Sequence, residues 1–254
     1  MKALLVCPLL IAAGCIDFSD DAGPWPCGAT ETQTSKGVTS TINHSFVWHA
    51  PERVALDEAR NADDSLNYRW TSRFDGDNEV EIDFVSAETT WTLTREFDGD
   101  KIIAEHSVFP DDTDNARWSY QGDTLVRVDH DHGFFVTYEY PDSNTRILTA
   151  CSTATNCSKI IETSTESLAD FDAVPERIAY DQDGNGTLDN EDVYAYDSHR
   201  FVIDHQTIDI DSQGTKTLRA HEATERRADG APLHSFQDVG PSPKDVVYHY
   251  SCKN

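Results

Sequence analysis

The sequence predicts an all-β protein, an antiparallel β-meander of repeated hairpins that forms a strongly curved sheet or a partly open barrel. Turn signals recur at a fixed spacing, because Asp75-Gly76, Asp98-Gly99 and Gln121-Gly122 lie 23 residues apart. Between the turns, segments such as residues 80–84 and 125–128 alternate apolar and polar side chains. This alternation is typical of strands with one buried face and one face in water.

The second half of the chain continues the pattern, and helices play little part. Further strand candidates cover residues 177–180, 192–196, 201–210, 215–221 and 246–250. Few stretches repeat apolar residues at helical spacing. Only residues 53–60 and 166–172 are predicted to form a turn or two of helix.

Composition limits the domain count and the class of partner. The chain has 254 residues, of which 38% are hydrophobic, enough for one packed domain or two small ones. The 46 acidic residues against 20 basic ones give a formal charge of −26. This balance excludes nucleic acid as a partner, since a phosphate backbone is bound through Lys and Arg. It also excludes docking on anionic lipid through a basic face.

The first residues predict an export signal. Met1-Lys2 supplies a positive charge, and the apolar run that follows, residues 3–14, is too short to span a bilayer but fits a signal peptide. The tetrapeptide at 12–15, Ala-Ala-Gly-Cys, resembles a bacterial lipobox, in which the cysteine is acylated and becomes the mature N-terminus. The alternative is an ordinary secretory signal with a chance cysteine.

The lipobox resemblance implies where the protein is placed. Residues 1–14 would be a lipoprotein signal peptide, and Cys15 would carry several acyl chains, palmitate among them, which together give stable anchoring. Ile16 follows the cysteine, which implies an outer-membrane lipoprotein of the bacterial cell envelope. Its domain would face the periplasm or be exposed at the surface, and this choice stays open.

Two further segments follow the signal. Residues 15–36 are rich in Asp, Gly, Pro and Thr, a composition that does not bury enough apolar surface to fold alone. We expect a flexible acidic tether there, and a single β-meander domain over residues 37–254.

The cysteines fit an oxidising compartment. With Cys7 in the signal and Cys15 acylated, four remain, an even number that predicts two disulfides in an exported chain. Of the three connectivities we favour Cys27–Cys252, which ties the ends of the domain together, and Cys151–Cys157, which closes a short loop. A metal site is the competing interpretation, but the spacing is not that of a zinc knuckle.

One hairpin resembles a known repeat. The string from Tyr180 to Asp189, YDQDGNGTLD, is followed by Tyr194-Ala195-Tyr196-Asp197. It resembles the YD-type repeats of bacterial exported proteins related to the RHS family, most strongly over residues 178–200, with weaker echoes over about 68–150. The resemblance implies a β-hairpin architecture and little about activity.

The same hairpin has the spacing of a calcium loop within residues 181–192. Calcium takes six to eight oxygen ligands, and acidic residues at alternating positions with a glycine at the sixth supply them. The flanks read as strands, so we predict a calcium-stabilised hairpin loop in place of an EF-hand. The alternative is a solvated turn without an ion. The predicted ligands are Asp181, Asp183, Asn185, the Thr187 carbonyl, Asp189 and Asp192.

The tryptophans have two interpretations. Trp48, Trp70, Trp91 and Trp118 fall on predicted strands, where they are expected to pack across strands. A row of them on one wet face would instead indicate a ligand platform.

No sequence motif assigns a reaction. The chain has no G-x-S-x-G elbow, P-loop or dinucleotide fingerprint. We therefore predict a lipid-anchored envelope or surface protein with a structural or binding role, whose partner is an unidentified protein or polysaccharide. The alternatives are a secreted, carbohydrate-active hydrolase that uses acidic residues and a lipid or lipoprotein carrier with an apolar groove.

Overall fold

The computed structural model describes residues 26–49, 54–76, 78–153, 156–168, 173–197, 202–227, 231–239 and 243–250. Within these ranges no helix is long and apolar enough to cross a membrane. The described residues form 18 strands: β1 Gly28–Ser35, β2 Val38–His49, β3 Val54–Asn61, β4 Leu66–Asp75, β5 Asn78–Ser86, β6 Thr90–Asp98, β7 Lys101–Val108, β8 Thr113–Gln121, β9 Thr124–His130, β10 Phe135–Asp142, β11 Thr145–Thr153, β12 Asn156–Thr163, β13 Arg177–Asp181, β14 Asn190–Tyr196, β15 Val202–Ile210, β16 Lys216–Arg226, β17 Pro232–Val239 and β18 Lys244–His249.

The strands close into one antiparallel barrel. Each strand pairs with its neighbours in sequence, as β9 does with β8 and β10. The first strand pairs on one side with β2 and on the other with β18, so that Gly28 lies opposite both Ser45 and His249. Closure satisfies the backbone groups that an edge strand would expose. The predicted meander is confirmed, and its sheet closes completely.

Two sequence predictions are wrong at the level of single elements. The predicted tether, residues 15–36, contains β1, because Gly28–Ser35 hydrogen-bonds on both sides and is the strand that closes the barrel. The predicted helix at 53–60 is largely β3, which is held by ladders from β2 and β4. Of the second predicted helix, residues 166–168 are irregular and 169–172 lie outside the described residues. The predicted signal peptide and residues 15–25 also lie outside them.

The register separates an inner from an outer face. Directly paired residues share a face of a sheet, so the line Ala29, His44, Ala59, Tyr68 belongs to one face. Most of the deeply buried side chains are on this face, among them Ile82 at 0% exposure. Side chains converge on the concave side of a barrel, so we assign this face as the inner one. A barrel of this strand number is too wide for its side chains to fill.

The outer face carries ion pairs. Glu58 accepts hydrogen bonds of 2.7 Å from the Nε atoms of Arg60 and Arg69, and Arg73 Nη1 lies 2.7 Å from Asp83 Oδ2. Further along, Arg127 and Asp129 form another pair, at 2.6 Å. These ion pairs lie on β3, β4, β5 and β9.

Part of the inner face is covered by the connection between β12 and β13. Leu168 N donates to Ser143 O at 2.7 Å, and Tyr196 donates its hydroxyl proton to Pro175 O at 2.8 Å. Beneath this connection Arg146 and Glu162 form a buried ion pair. Elsewhere on the inner face, Ala116, Leu125 and Val128 form a small apolar cluster with three aromatic neighbours.

Candidate functional site

An aromatic row lies on the inner face of β4–β6. The register places Trp70, Phe84 and Trp91 side by side, and Tyr68 comes two residues before Trp70. Ring centroids are 5.1 Å apart for Trp70 and Trp91, 5.5 Å for Phe84 and Trp91, and 6.1 Å for Tyr68 and Phe84. All four side chains are half-buried. We call these four residues the aromatic row.

A cluster of charged groups adjoins the row at the closing seam of the barrel. His44 Nε2 lies 3.5 Å from Glu31 Oε2, and His44 Nδ1 lies 3.6 Å from Asp57 Oδ1. Tyr68 donates its hydroxyl proton to Asp57 Oδ2 at 2.8 Å, and Lys244 Nζ is 2.9 Å from Glu31 Oε2. We call Glu31, His44, Asp57, Tyr68 and Lys244 the His44 cluster. Asp57 and Tyr68 connect it to the aromatic row, since Asp57 pairs with Trp70.

The His44 cluster fixes the charge of its members. Burial disfavours the His44 cation, but the carboxylates of Asp57 and Glu31 outweigh it and raise the pKa of His44 to about 9. For Glu31, burial acts toward a higher pKa, and His44 and Lys244 overcome it, so that the pKa is lowered. Burial raises the pKa of the Tyr68 hydroxyl, which therefore stays a hydrogen-bond donor. At neutral pH the cluster presents paired charges and one fixed donor.

A cavity borders the His44 cluster, and further polar groups lie along β6. A cavity of about 490 Å³ at one end of the barrel is lined by residues that include Ala29, His44 and Tyr248. Arg95, four residues after Trp91 on β6, lies 2.9 Å from Glu79 and 3.1 Å from Glu105. Hydrogen-bonding groups therefore adjoin the aromatic row at Tyr68, and a second polar group lies further along β6, beyond Leu93.

The predicted calcium loop joins β13 to β14, which confirms the hairpin. Asp181, Asp183 and Asp189 each offer a carboxylate oxygen, and these oxygens lie within 4.8 Å of one another. Hydrogen bonds from backbone to side chain order the loop. Gly186 N donates to Asp181 Oδ2 at 2.9 Å, and Thr187 N donates to Asn185 Oδ1 at 2.7 Å. The loop therefore brings three of the predicted ligands together around one point.

Asp192 is a correction to the predicted ligand set. Its carboxylate accepts a hydrogen bond from Thr207 at 2.7 Å and lies 3.1 Å from His205 Nε2. In β14 it pairs with Ile178, whereas Asp181 comes at an odd number of residues from Ile178 and so faces the other side of the sheet. The strand begins at Asn190, and its alternation carries Asp192 to the inner face and away from the loop.

The structure contains the predicted Cys151–Cys157 disulfide. These residues are directly paired across β11 and β12. Cys27 is also disulfide-bonded, and its backbone N–H donates to His249 O at 2.9 Å. Because Cys252 lies outside the described residues, the Cys27–Cys252 pairing stays a prediction.

Sequence reasoning missed the His44 cluster because its members are spread from residue 31 to residue 244 and meet only when the barrel closes. The tryptophans were the usable signal, and the structure places Trp70 and Trp91 in a single row. Trp118 contacts the small apolar cluster on β8 and β9 instead. The side chain of Trp48 lies outside what the structure describes.

The carboxyl groups differ in the direction in which their surroundings shift their pKa values. Among the described residues with a resolved shift, Glu162 is the carboxyl group whose pKa is raised, and the cause is burial, opposed by Arg146. It lies beneath the β12–β13 connection at 3% exposure. Carboxylates that face the interior elsewhere, such as Glu31 and Asp192, have a lowered pKa.

Comparison with known proteins gives no family. No protein-family model matches the chain, and no curated protein matches it. One similar solved structure is a porin-like protein from Bacteroides uniformis, with 11% identity, a TM-score of 0.47, and coverage of 89% of this chain and 96% of that chain. This similarity is too low to carry an inference about function.

Proposed function

We propose that this chain is an exported, lipid-anchored envelope protein whose water-filled barrel binds a glycan on its inner face. The observation that carries the proposal is the aromatic row, a set of half-buried rings on one face of the sheet, next to the His44 cluster. Such a row on a wet face is the arrangement that indicates a ligand platform.

The aromatic row and the adjoining His44 cluster together have the chemistry that binds a sugar. A pyranose has apolar C–H faces that pack on aromatic rings, and hydroxyl groups that need donors and acceptors at the edge. Ligand sites combine aromatic walls with a few placed polar groups in this way. The aromatic row supplies the platform, and Asp57, Glu31 and Lys244 beside Tyr68 supply the polar edge, with Arg95 further along β6.

The ion pairs on the outer face favour a barrel that is surrounded by water and not embedded in lipid. A barrel embedded in lipid needs an apolar outer band about 25 Å tall, and charges on it are costly. Here Glu58, Arg69, Arg73 and Asp83 form ion pairs on the outer face of neighbouring strands. We therefore assign membrane attachment to acyl chains on Cys15 and not to the barrel wall.

The two alternative functions have less support from the geometry. A lipid carrier needs an apolar interior, but charged groups from β1–β7 lie on the inner face, including Glu31, Arg95 and Glu105. A hydrolase needs convergent carboxyl groups with perturbed pKa values in an open pocket. The one described carboxyl group with a raised pKa, Glu162, is bonded to Arg146 and covered.

The test is a binding titration. The purified protein is titrated with soluble cello-, chito- and malto-oligosaccharides while its tryptophan fluorescence is followed. At least one glycan is expected to change the emission with saturation, and Trp91→Ala is expected to abolish binding. Trp118→Phe, on the far side of β7 from the row, is the matched control and should bind as the parent does. Absence of binding to every glycan, or undiminished binding by Trp91→Ala, would contradict the proposal.

A further inference from the structure

The carboxylate cluster in the β13–β14 loop includes a buried oxygen without a partner. Asp181 is 4% exposed. Its Oδ2 accepts a hydrogen bond from Gly186 N, whereas its Oδ1 is buried and has no hydrogen-bond partner in the part of the chain that the structure describes. Burial of a carboxylate oxygen without a hydrogen-bond partner destabilises the folded state, because the oxygen loses its hydrogen bonds to water and gains none in the protein.

No described side-chain cation neutralises Asp181. Lys159 is the residue opposite Asp181 on β12, but it is exposed and forms no ion pair within 4.0 Å of that carboxylate. The nearby oxygens belong to Asp183 and Asp189, which add negative charge within 4.8 Å. Three carboxylates this close repel one another unless a cation lies between them.

From the buried oxygen and its surroundings we infer that the loop binds one calcium ion, with Asp181 Oδ1 as its innermost ligand and Asp183 and Asp189 as the further carboxylate ligands. Calcium is a hard cation that takes oxygen ligands at roughly 2.3–2.6 Å in flexible geometry. A largely exposed loop that offers oxygen ligands of several kinds suits calcium better than magnesium, which demands near-ideal octahedral geometry. The Asn185 side-chain oxygen and the Thr187 carbonyl are the next candidates, and water completes the shell.

The ion's role follows from the position of the loop. Gly184 packs on the backbone of Cys157, so the loop lies against the hairpin that the Cys151–Cys157 disulfide closes. Calcium therefore stabilises two adjacent hairpin ends of the barrel together. This inference is independent of the proposed glycan binding, since the loop is at a strand end and Asp181 faces away from the inner face.

Isothermal titration with calcium chloride, together with thermal unfolding in calcium and in EDTA, tests the inference on the full chain. The parent protein is expected to bind one calcium per chain at this loop and to unfold at a higher temperature in calcium than in EDTA. Asp181→Asn is expected to lose at least about tenfold in affinity, because calcium affinity depends on the number of charged ligands and loss even of an outer-shell partner typically costs about 10–100-fold. Asp75→Asn, in an exposed turn at the end of β4, is the matched control and should bind as the parent does.

Each outcome decides the matter. Because Asp181→Asn removes a buried, repelled charge, it is expected to unfold in EDTA at a temperature no lower than the parent, which shows that the variant folds. Loss of calcium binding in such a folded variant supports the site. No calcium binding by the parent at millimolar concentration, or equal affinity in the parent and Asp181→Asn, would overturn it.

Discussion

Gly184 lies directly against the carbonyl oxygen of Cys157: a Cβ atom placed on Gly184 would be 2.3 Å from that oxygen. The residue also has a φ of +69°, which L side chains rarely adopt. Two sequence-distant hairpin ends, the acidic loop and the disulfide-closed turn, are therefore packed together backbone to backbone.

Replacement of Gly184 by alanine is expected to destabilise the protein by at least about 2 kcal/mol, from the left-handed backbone together with the clash on Cys157. Gly214 is the matched control, since its φ is +80° and nothing lies within 4 Å of an added Cβ. Gly214→Ala should cost only the backbone part, about 1 kcal/mol. Urea unfolding measures both. Equal destabilisation by the two variants would show that the contact with Cys157 is unimportant.

Removal of the Cys151–Cys157 disulfide by a double alanine substitution is expected to lower the free energy of unfolding by about 2 kcal/mol, the chain-entropy effect of a short loop. The double variant is preferable to a reducing agent, because Cys27 is disulfide-bonded too. Denaturant unfolding of parent and variant gives the difference. A variant as stable as the parent would count against a stabilising role for this bond.

His44 makes stability depend on pH. Its pKa in the folded barrel is about 9 and exceeds its ordinary value of 6.5, so folding favours the protonated form. The resulting stability is fully present below about pH 6.5 and is lost as the pH rises through about 9, a change on the order of 2–3 kcal/mol. The difference in unfolding free energy between the parent and His44→Gln should therefore shrink from pH 6 to pH 9.5. A difference that stays constant with pH would contradict the ion pairs of His44 with Asp57 and Glu31. His132→Gln, at an exposed hairpin end, serves as the control.

Removal of one partner of the Arg146–Glu162 ion pair is expected to lower the free energy of unfolding strongly. Both side chains are buried, so Arg146→Met leaves an uncompensated carboxylate and should cost about 3–5 kcal/mol at neutral pH. The double variant Arg146→Met, Glu162→Leu removes both charges and should recover most of that loss. Chemical denaturation of the two variants is the measurement, and a double variant no more stable than the single one would refute a charge-based cost.

Cys15→Ser is expected to abolish membrane attachment. Radiolabelled palmitate should label the parent protein in the producing cells, and the variant should be unlabelled and recovered in soluble fractions. Mass spectrometry of the parent N-terminal peptide provides the direct check. A parent protein without acyl mass, or a variant that still sediments with membranes, would exclude anchoring through this residue.

The sequence predicted the meander because a β-hairpin is a local object: a turn signal and two alternating segments specify each one. The closing contact is not local. Residues 28–35 are polar and rich in Thr, and they become a strand only because β2 and β18 offer ladders on both sides. For the same reason residues 54–60, which belong to a segment whose local pattern is compatible with helix, are extended in the barrel.

The candidate sites also differ in whether they are formed by neighbouring or by distant parts of the sequence. Spacing alone predicted that Asp181, Asp183 and Asp189 lie together, because all three belong to one hairpin. The prediction is wrong for Asp192, because the strand alternation of β14 turns its side chain to the other face. The His44 cluster needs the closed barrel, since β1, β2, β3, β4 and β18 each contribute one residue to it. No local pattern in the sequence indicates that Glu31 and Lys244 meet.

Glycan binding on the aromatic row is tested most directly by the indole N–H signals of the tryptophans in nuclear magnetic resonance spectra, assigned by single Trp→Phe variants. Addition of a glycan that binds should shift the signals of Trp70 and Trp91 in proportion to occupancy and leave that of Trp118 in place. Binding accompanied by unchanged Trp70 and Trp91 signals would place the ligand elsewhere and contradict the assignment of the inner face as the binding surface.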